Sequence, residues 1–208
     1  MNNVTTFYLV RHGQTEWNVN DLIQGHQDSP LTEVGLKDAR NVAEKLKDIK
    51  FDLIFSSDLL RAKRTAEIIA LEHKLEVQTN KLLRERKFGH LEGKSKKEFD
   101  EWVKVFKDLT DEERFIHKTY PDIESDEEIV NRLITFMKEI AVANPGKNIL
   151  AVTHGGVMRM LLIHLGFTDY HSIARGAIGN GAIIKIETDG EYFEIKELEG
   201  VKTNKNAK

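Results

Sequence analysis

Two rhythms of apolar and polar positions alternate along this chain. Short continuous apolar runs, each closing on a small or polar residue, are separated by longer stretches in which apolar residues return every three or four positions. The first rhythm predicts buried strands and the second predicts helices. Phe7-Tyr8-Leu9-Val10 is such a run and stops at Arg11-His12-Gly13. A polar loop from Val19 to Pro30 leads to Thr32, an N-cap with Glu33 behind it, and then to Leu36, Ala39, Val42, Ala43 and Leu46 at helical spacing. Leu53-Ile54-Phe55 predicts a second strand, and Ser56-Ser57-Asp58 predicts the N-cap cluster of a helix running through about His73. Leu75-Glu76-Val77-Gln78 is a short third strand, followed by an irregular polar segment from Leu82 to Lys94. Asn148 to Thr153 is a further strand that ends, as the first does, on histidine and glycine, His154-Gly155-Gly156. Val157 to Leu165 then reads as an apolar helix.

Three capping boxes, Ser95 with Glu98, Thr110 with Glu113 and Ser125 with Glu128, predict helices between the third strand and Asn148. The stripe Phe99, Trp102, Val103, Phe106 is expected to pack an insertion onto the domain, not to hold a cofactor. Ile129, Val130, Leu133, Ile134, Met137 and Ile140 form a broad sheet-covering face, and Asn144-Pro145-Gly146 ends that helix. Ile183 to Glu187 and Tyr192 to Leu198 flank Asp189-Gly190, a hairpin signal. The expected fold is therefore three-layer α/β, with a mostly parallel central sheet flanked by helices. A helical insertion over the sheet's C-terminal edge spans about 95–125, and a hairpin closes the chain. One domain is expected over 1–200, followed by a flexible polar tail at 201–208.

Composition narrows the chemistry. Of the 208 residues 40% are hydrophobic and 31% charged, an ordinary globular balance, and the formal net charge of -3 offers no global attraction for nucleic acid or an anionic membrane. Any anion site must be local. The absence of cysteine excludes disulfides and thiolate chemistry. No bilayer-length apolar run and no signal-like segment is apparent, so a cytoplasmic location is expected.

His12 stands out because strand C-termini are where open α/β sheets bind ligands. Arg11 beside it disfavours a second positive charge and keeps the imidazole neutral, able to attack an electrophile. Taken alone, Arg-His-Gly is a weak signal that reads more readily as a core histidine. Arg61 falls in the first turn of the second long helix, and with Lys63 and Arg64 it could equally be a solvated basic face. Glu85, between Arg84, Arg86 and Lys87, could be a surface ion pair. The pieces gain meaning together: two arginines and two histidines approach one sheet edge, with Glu85 on a loop able to reach it. The helix start at Gly155 offers unpaired N–H groups to an anion. Guanidiniums match phosphate oxygens and stabilise a transferring phosphoryl group. On this reading His12 attacks phosphorus, Glu85 acts as general acid and then general base, and His154 adds hydrogen bonds to the phosphoryl oxygens.

These segments resemble the histidine phosphatase superfamily, in the branch that includes cofactor-dependent phosphoglycerate mutases. The resemblance rests on Leu9 to Asn18, Gln24-Gly25, Ser29-Pro30-Leu31-Thr32, Ser56 to Glu67, Leu83-Arg84-Glu85, Gly89 to Gly93 and Thr153 to Gly156. It implies that His12 is the phosphorylated nucleophile and Glu85 the proton donor. Arg11, Arg61 and His154 would bind the phosphoryl group, and Asn18 and the Gln24-Gly25 backbone match phosphate-pocket positions. Two departures bear on substrate. Mutases of the family usually carry adjacent arginines in a longer insertion, whereas Ser95 to Ser125 contains only Arg114; and Ile123-Glu124-Ser125 replaces the usual Gly-Glu-Ser. The expected function is a phosphomonoesterase that needs no metal or cofactor and takes a small-molecule phosphomonoester. A phosphoglycerate mutase and a non-catalytic phospho-ligand scaffold are the alternatives. A metal hydrolase using His12, His26, His90 and His154 is a further rival, disfavoured because no histidine pair has helical ligand spacing.

Overall fold

The computed structural model describes residues 4–202. Six strands, β1 (Thr5–Arg11), β2 (Leu53–Ser56), β3 (Val77–Thr79), β4 (Asn148–Thr153), β5 (Ile178–Thr188) and β6 (Phe193–Val201), form one sheet in the order β3-β2-β4-β1-β5-β6. β1 to β4 are mutually parallel, while β5 runs antiparallel to β1 and β6 antiparallel to β5. The helices are α1 (Glu16–Val19), α2 (Glu33–Leu46), α3 (Leu60–His73), α4 (Lys96–Val103), α5 (Asp111–Ile116), α6 (Asp126–Ala143) and α7 (Gly155–His164).

β1 explains the layering. Its side chains alternate with the period-2 pleat, yet Phe7 to Val10 are all buried because both sheet faces are covered. Phe7 and Leu9 pack with Leu133 and Phe136 of α6 and Val157 of α7. Tyr8 and Val10 pack with Val42 of α2 and Ala66 of α3. The three-layer α/β architecture is thus as the alternation implied. Among the described residues no helix is long and apolar enough to cross a membrane.

Two expectations need correction, and a third gains a second role. The Ser56-Ser57-Asp58 cluster does not cap α3: its N-cap is Leu59, without a side-chain cap bond, and Asp58 pairs with Arg84 instead. The carboxylate that accepts from the Leu60 N–H, at 2.9 Å, belongs to Asp28, from a loop remote in sequence. β6 extends to Val201, paired with Ile178, so the chain remains in the sheet where a tail was expected to begin; residues 203–208 lie outside the described residues. The aromatic stripe does pack the insertion, with Trp102 and Phe106 joining Ile23, Leu91 and Ile123 in a small separate core, but Phe99, Trp102 and Phe106 also line the functional cavity described below. All three capping boxes form as expected.

Gly13 lies two residues beyond the end of β1. Its backbone is not left-handed; what it provides is close approach. A Cβ there would lie 2.2 Å from the Gly35 carbonyl oxygen, and one on Gly35 would lie 2.0 Å from that of Gln14, so the loop after β1 and the start of α2 touch backbone to backbone. Gly13→Ala and Gly35→Ala should each destabilise the fold by about 1–3 kcal/mol or more, as overpacking does. Denaturant midpoints check this; a loss below about 0.5 kcal/mol would mean that the loop can retreat without cost.

Candidate active site

Where β1 runs out, His12 adds one more rung to the ladder, its N–H donating to the Thr153 carbonyl at 3.1 Å. The ring is 3% exposed, and Nδ1 stands 2.8 Å from the Gly13 carbonyl. A carbonyl can only accept, so Nδ1 carries the proton and Nε2 the lone pair. Two further contacts hold this strand end. Thr65 Oγ1 accepts from the Gly13 N–H at 3.1 Å while donating to the Arg61 carbonyl at 2.8 Å. Asn180 Nδ2 donates to the His12 carbonyl at 2.9 Å, from a stretch of β5 where the register shifts between Ile178 and Ile183. Irregularities of this kind re-aim side chains at sites. The His12 pKa lies well below the usual histidine range, first through burial, then through Arg61, then Arg11. Arg11 does keep the ring neutral, as expected, but desolvation is the larger cause.

Arg61 separates from its neighbours. Arg64 is exposed and pairs with Glu67, a solvated face, whereas Arg61 is 1% exposed. Its NH2 donates to the Gly25 carbonyl at 2.7 Å, and NH1 donates to the Gln27 carbonyl at 2.7 Å and to Asp28 Oδ1 at 3.0 Å. Gly25 reaches this position with φ +55°, in the left-handed region. Arg11 NH1 donates to the Ile178 carbonyl at 2.5 Å. Nε of Arg11 and of Arg61 are both buried without a hydrogen-bond partner among the described residues. Unpaired buried donors on two guanidiniums of one cavity are what an anion pocket leaves open.

Glu85 makes no ion pair with the cations that flank it in sequence. Arg84 is taken by Asp58 and Arg86 by Asp126. The Glu85 carboxylate instead accepts two backbone N–H bonds, from Arg86 at 2.8 Å and from Gly156 at 3.0 Å. The Gly156 amide lies in the first turn of α7, so this helix start, expected to face an anion, spends one donor on Glu85. Its backbone carbonyl is fixed by Arg132 and by His26 Nε2, each at 2.9 Å. His154 is fully buried, its ring centroid 5.1 Å from that of His12, and neither ring nitrogen has a partner among the described residues. Burial, then Arg61, holds its pKa well below the usual range.

Arg11, His12, Asn18, Gln24, Gly25 and Arg61 share the wall of one cavity of about 320 Å³ with Glu85 and Gly155. His154 is next to this wall, between Thr153 and the lining residue Gly155, with its ring edge-on to that of His12. Sequence reasoning did not find Asn180, Thr65 or Asp28, whose roles exist only through contacts more than thirty residues away. It also did not find that Arg86, Arg159 and Arg175 join Arg114 in the cavity wall, because they come from three different segments. Of the four histidines considered as metal ligands, His26 turns to Glu85 and His90 to Asp122. Among the described residues no three His, Asp or Glu side chains converge as a metal-ligand set.

The two buried histidines make stability depend on pH. Their native pKa values lie below the unfolded value near 6.5, so at lower pH the unfolded chain binds more protons and stability falls. Each should contribute a slope of about 1.4 kcal/mol per pH unit between its two pKa values. The His12→Asn, His154→Gln double variant should show a flatter dependence of unfolding free energy between pH 6.5 and 5. An undiminished slope there would assign the effect to other groups.

Comparison with known proteins agrees with this geometry. Residues 7–200 match the family model described as histidine phosphatase superfamily (branch 1). The chain is 34% identical over 194 residues to the uncharacterized phosphatase PhoE of Bacillus subtilis (strain 168), covering 93% of this chain and 94% of that one. It is 40% identical over 163 residues to phosphoglycerate mutase-like protein 4 of Arabidopsis thaliana, covering 74% and 67% respectively. A crystal structure of phosphoglycerate mutase from Bacillus anthracis superposes with a TM-score of 0.80 at 28% identity, covering 96% of this chain and 94% of the other. Relatives named as phosphatases and relatives named as mutases thus share the fold, and the chain belongs to branch 1 of the histidine phosphatase superfamily.

Proposed function

We propose that the protein is a phosphomonoesterase that works without a metal ion, forms a phosphohistidine on His12 and acts on a small phosphorylated metabolite. The observation that carries this reading is His12 itself: neutral by burial, held by Gly13 so that Nε2 keeps its lone pair, and set in one cavity with two arginines and a carboxylate. In the first half-reaction Nε2 attacks phosphorus and the bond to the ester oxygen breaks. Protonated Glu85 donates to that oxygen, and the alcohol leaves. In the second, Glu85 takes a proton from water as the water oxygen attacks phosphorus; the phosphorus–nitrogen bond breaks, and phosphate and protonated Glu85 result. Arg11 and Arg61 stabilise the equatorial oxygens throughout, as fixed cationic donors. His154 is assigned the same use through its unpartnered ring nitrogens.

A phosphatase-named relative matched over nearly its whole length supports hydrolysis. One observation favours the mutase as a second reading: four arginines beyond Arg11 and Arg61 line the cavity, so the sparse cations of the insertion understate its charge. Phosphate release measured alongside isomerisation of 3-phosphoglycerate, with and without its bisphosphate, separates the two. Fast isomerisation with little release would overturn the phosphatase.

His12→Ala should abolish turnover and remove the acid-labile, base-stable phosphoenzyme seen by labelling in the presence of a chelator. Label retained in that variant and mapping to His154 would move the nucleophile. For Glu85→Gln, single-turnover phosphorylation should slow by about 10²–10⁴-fold with alkyl phosphates, where general-acid help is needed. With p-nitrophenyl phosphate, whose leaving group departs unprotonated, the loss should be much smaller. Equal losses on both would reduce Glu85 to a structural carboxylate.

A further inference from the structure

Glu85 sits on a stretch of chain, Arg84 to Phe88, that belongs to no helix or strand. Carbonyls in such a stretch need partners from elsewhere, because a buried one left unpaired is costly. One side chain takes three of them. Arg132 of α6 donates from NH1 to the Leu82 carbonyl at 2.8 Å and to the Arg84 carbonyl at 2.5 Å, and from NH2 to the Glu85 carbonyl at 2.9 Å. Its other N–H groups go to Glu124, Nε to Oε1 at 3.0 Å and NH2 to Oε2 at 3.2 Å. Every donor of the guanidinium is thereby used, in a planar fork that lysine cannot reproduce.

Glu124 grips the same stretch further along. Its N–H donates to the Lys87 carbonyl at 3.0 Å, its carbonyl accepts from Arg86 NH1 at 2.9 Å, and Oε2 accepts from the Lys87 N–H at 2.7 Å. It is the middle residue of Ile123-Glu124-Ser125, so the change at the first position of that triplet leaves these bonds in place. Ser125 caps α6, and Arg132 follows about two turns after Glu124, which brings both side chains to one side of the helix start. The carboxylate of Glu85 is in turn fixed to Arg86 of this stretch and to Gly156 of α7. Where the carboxylate stands relative to His12 therefore depends on where this backbone lies. Arg132 has no donor left for a substrate. Its charge does reach His154, whose protonation is disfavoured by burial first, then by Arg61, His12 and Arg132.

We infer that Arg132, locked by Glu124, is a positioning residue for the Glu85 carboxyl group, and that it acts on proton transfer to the leaving oxygen and not on phosphate binding. The inference rests on the reading of Glu85 as general acid. A proton passes only at hydrogen-bond distance from the ester oxygen, and a misplacement of about 1 Å costs about 10²-fold. The groups assigned to the phosphoryl oxygens are held by other elements: Arg61 by Gly25 and Gln27, Arg11 by Ile178. Freeing the three carbonyls thus loosens the acid while leaving those groups in place.

Arg132→Lys keeps the charge, and with it the effect on His154, but a compact ammonium cannot span three carbonyls and a carboxylate. Single-turnover phosphorylation at saturating substrate compares glycerol 3-phosphate, an alkyl ester whose leaving oxygen needs a proton, with p-nitrophenyl phosphate, whose leaving group does not. In Arg132→Lys the rate with glycerol 3-phosphate should fall about tenfold to 10²-fold, while the rate with p-nitrophenyl phosphate changes little. Calorimetric affinity for inorganic phosphate should be unchanged. Glu124→Gln, which removes one of the two oxygens receiving the guanidinium, should shift the same ratio in the same direction by less, and carries the test if Arg132→Lys does not fold. Added to Glu85→Gln, neither substitution should slow glycerol 3-phosphate further, since groups that act through one step are not additive. Equal losses on the two esters, or a further loss on top of Glu85→Gln, make Arg132 merely structural and overturn the inference. If Glu85→Gln discriminates between the esters while Arg132→Lys and Glu124→Gln do not, the positioning role falls and Glu85 remains the acid. If Glu85→Gln itself slows both esters equally, the acid reading falls, and the inference with it.

Discussion

A guanidinium that is 1% exposed cannot be left without partners, and the burial of Arg61 organises much of what surrounds it. Its donors draw in the Gly25 and Gln27 carbonyls and Asp28, which orders the loop ahead of α2. Asp28 in turn accepts from the first amide of α3, the helix that carries Arg61, so one carboxylate both neutralises the charge and caps the element presenting it. The same buried charge is the second cause, after desolvation, of the low pKa of His12 and of His154. The cationic character of the cavity and the neutrality of its two histidines thus share one physical origin. A phosphate that accepts from Arg61 relieves the repulsion that keeps the rings neutral.

Rigidity around His12 comes from elements of different strength. The parallel pairing of β1 with β4 aligns Arg11 with Thr153 and so sets the two histidines side by side. The loop leaving β1 is pinned by backbone contact with Gly35 and by Thr65. Asn180 ties the His12 carbonyl to the irregular start of β5, and its Nδ2 also stands 3.4 Å from Asn18 Oδ1. Glu85 is held by backbone amides only, so its carboxylate geometry does not depend on a flexible cationic partner.

The cavity is electrostatically uneven. Around His12 the arginines are balanced by Asp28 and Glu85, whereas beyond it, among the described residues, Asp126 is the carboxylate that acts on Arg159 and Arg175 and pairs with Arg86 and Arg114. Aromatic stacking stabilises Arg114 and Arg175 without consuming their hydrogen-bonding edges. The helical insertion therefore does more than cover the sheet edge: Phe99, Trp102 and Arg114 bring an apolar and cationic wall to a site whose reactive groups all come from the α/β domain.

The periodicity of the chain by itself determined the three-layer architecture, the strand ends at Arg11 and Thr153, and all three capping boxes, because each depends on residues within a few positions of one another. That His12, Arg11, Arg61 and Glu85 share one cavity was legible from a strand end, a helix start and the loop after β3 read together with the family resemblance. Sequence could not tell Arg61 from Arg64, since burial is a property of the surroundings and not of the residue. Nor could it find the Asp28 cap on α3, the Asn180 contact, or the convergence of Arg86, Arg114, Arg159 and Arg175 on one wall. It could not show that the His154 ring is fully buried and packs edge-on to that of His12. It ended the sheet before Val201, because edge-strand residues alternate too weakly to mark a boundary. These features were decided by tertiary structure, as they join segments far apart in the chain, and local propensity carries no information about which distant partner will satisfy a buried charge or an unpaired amide.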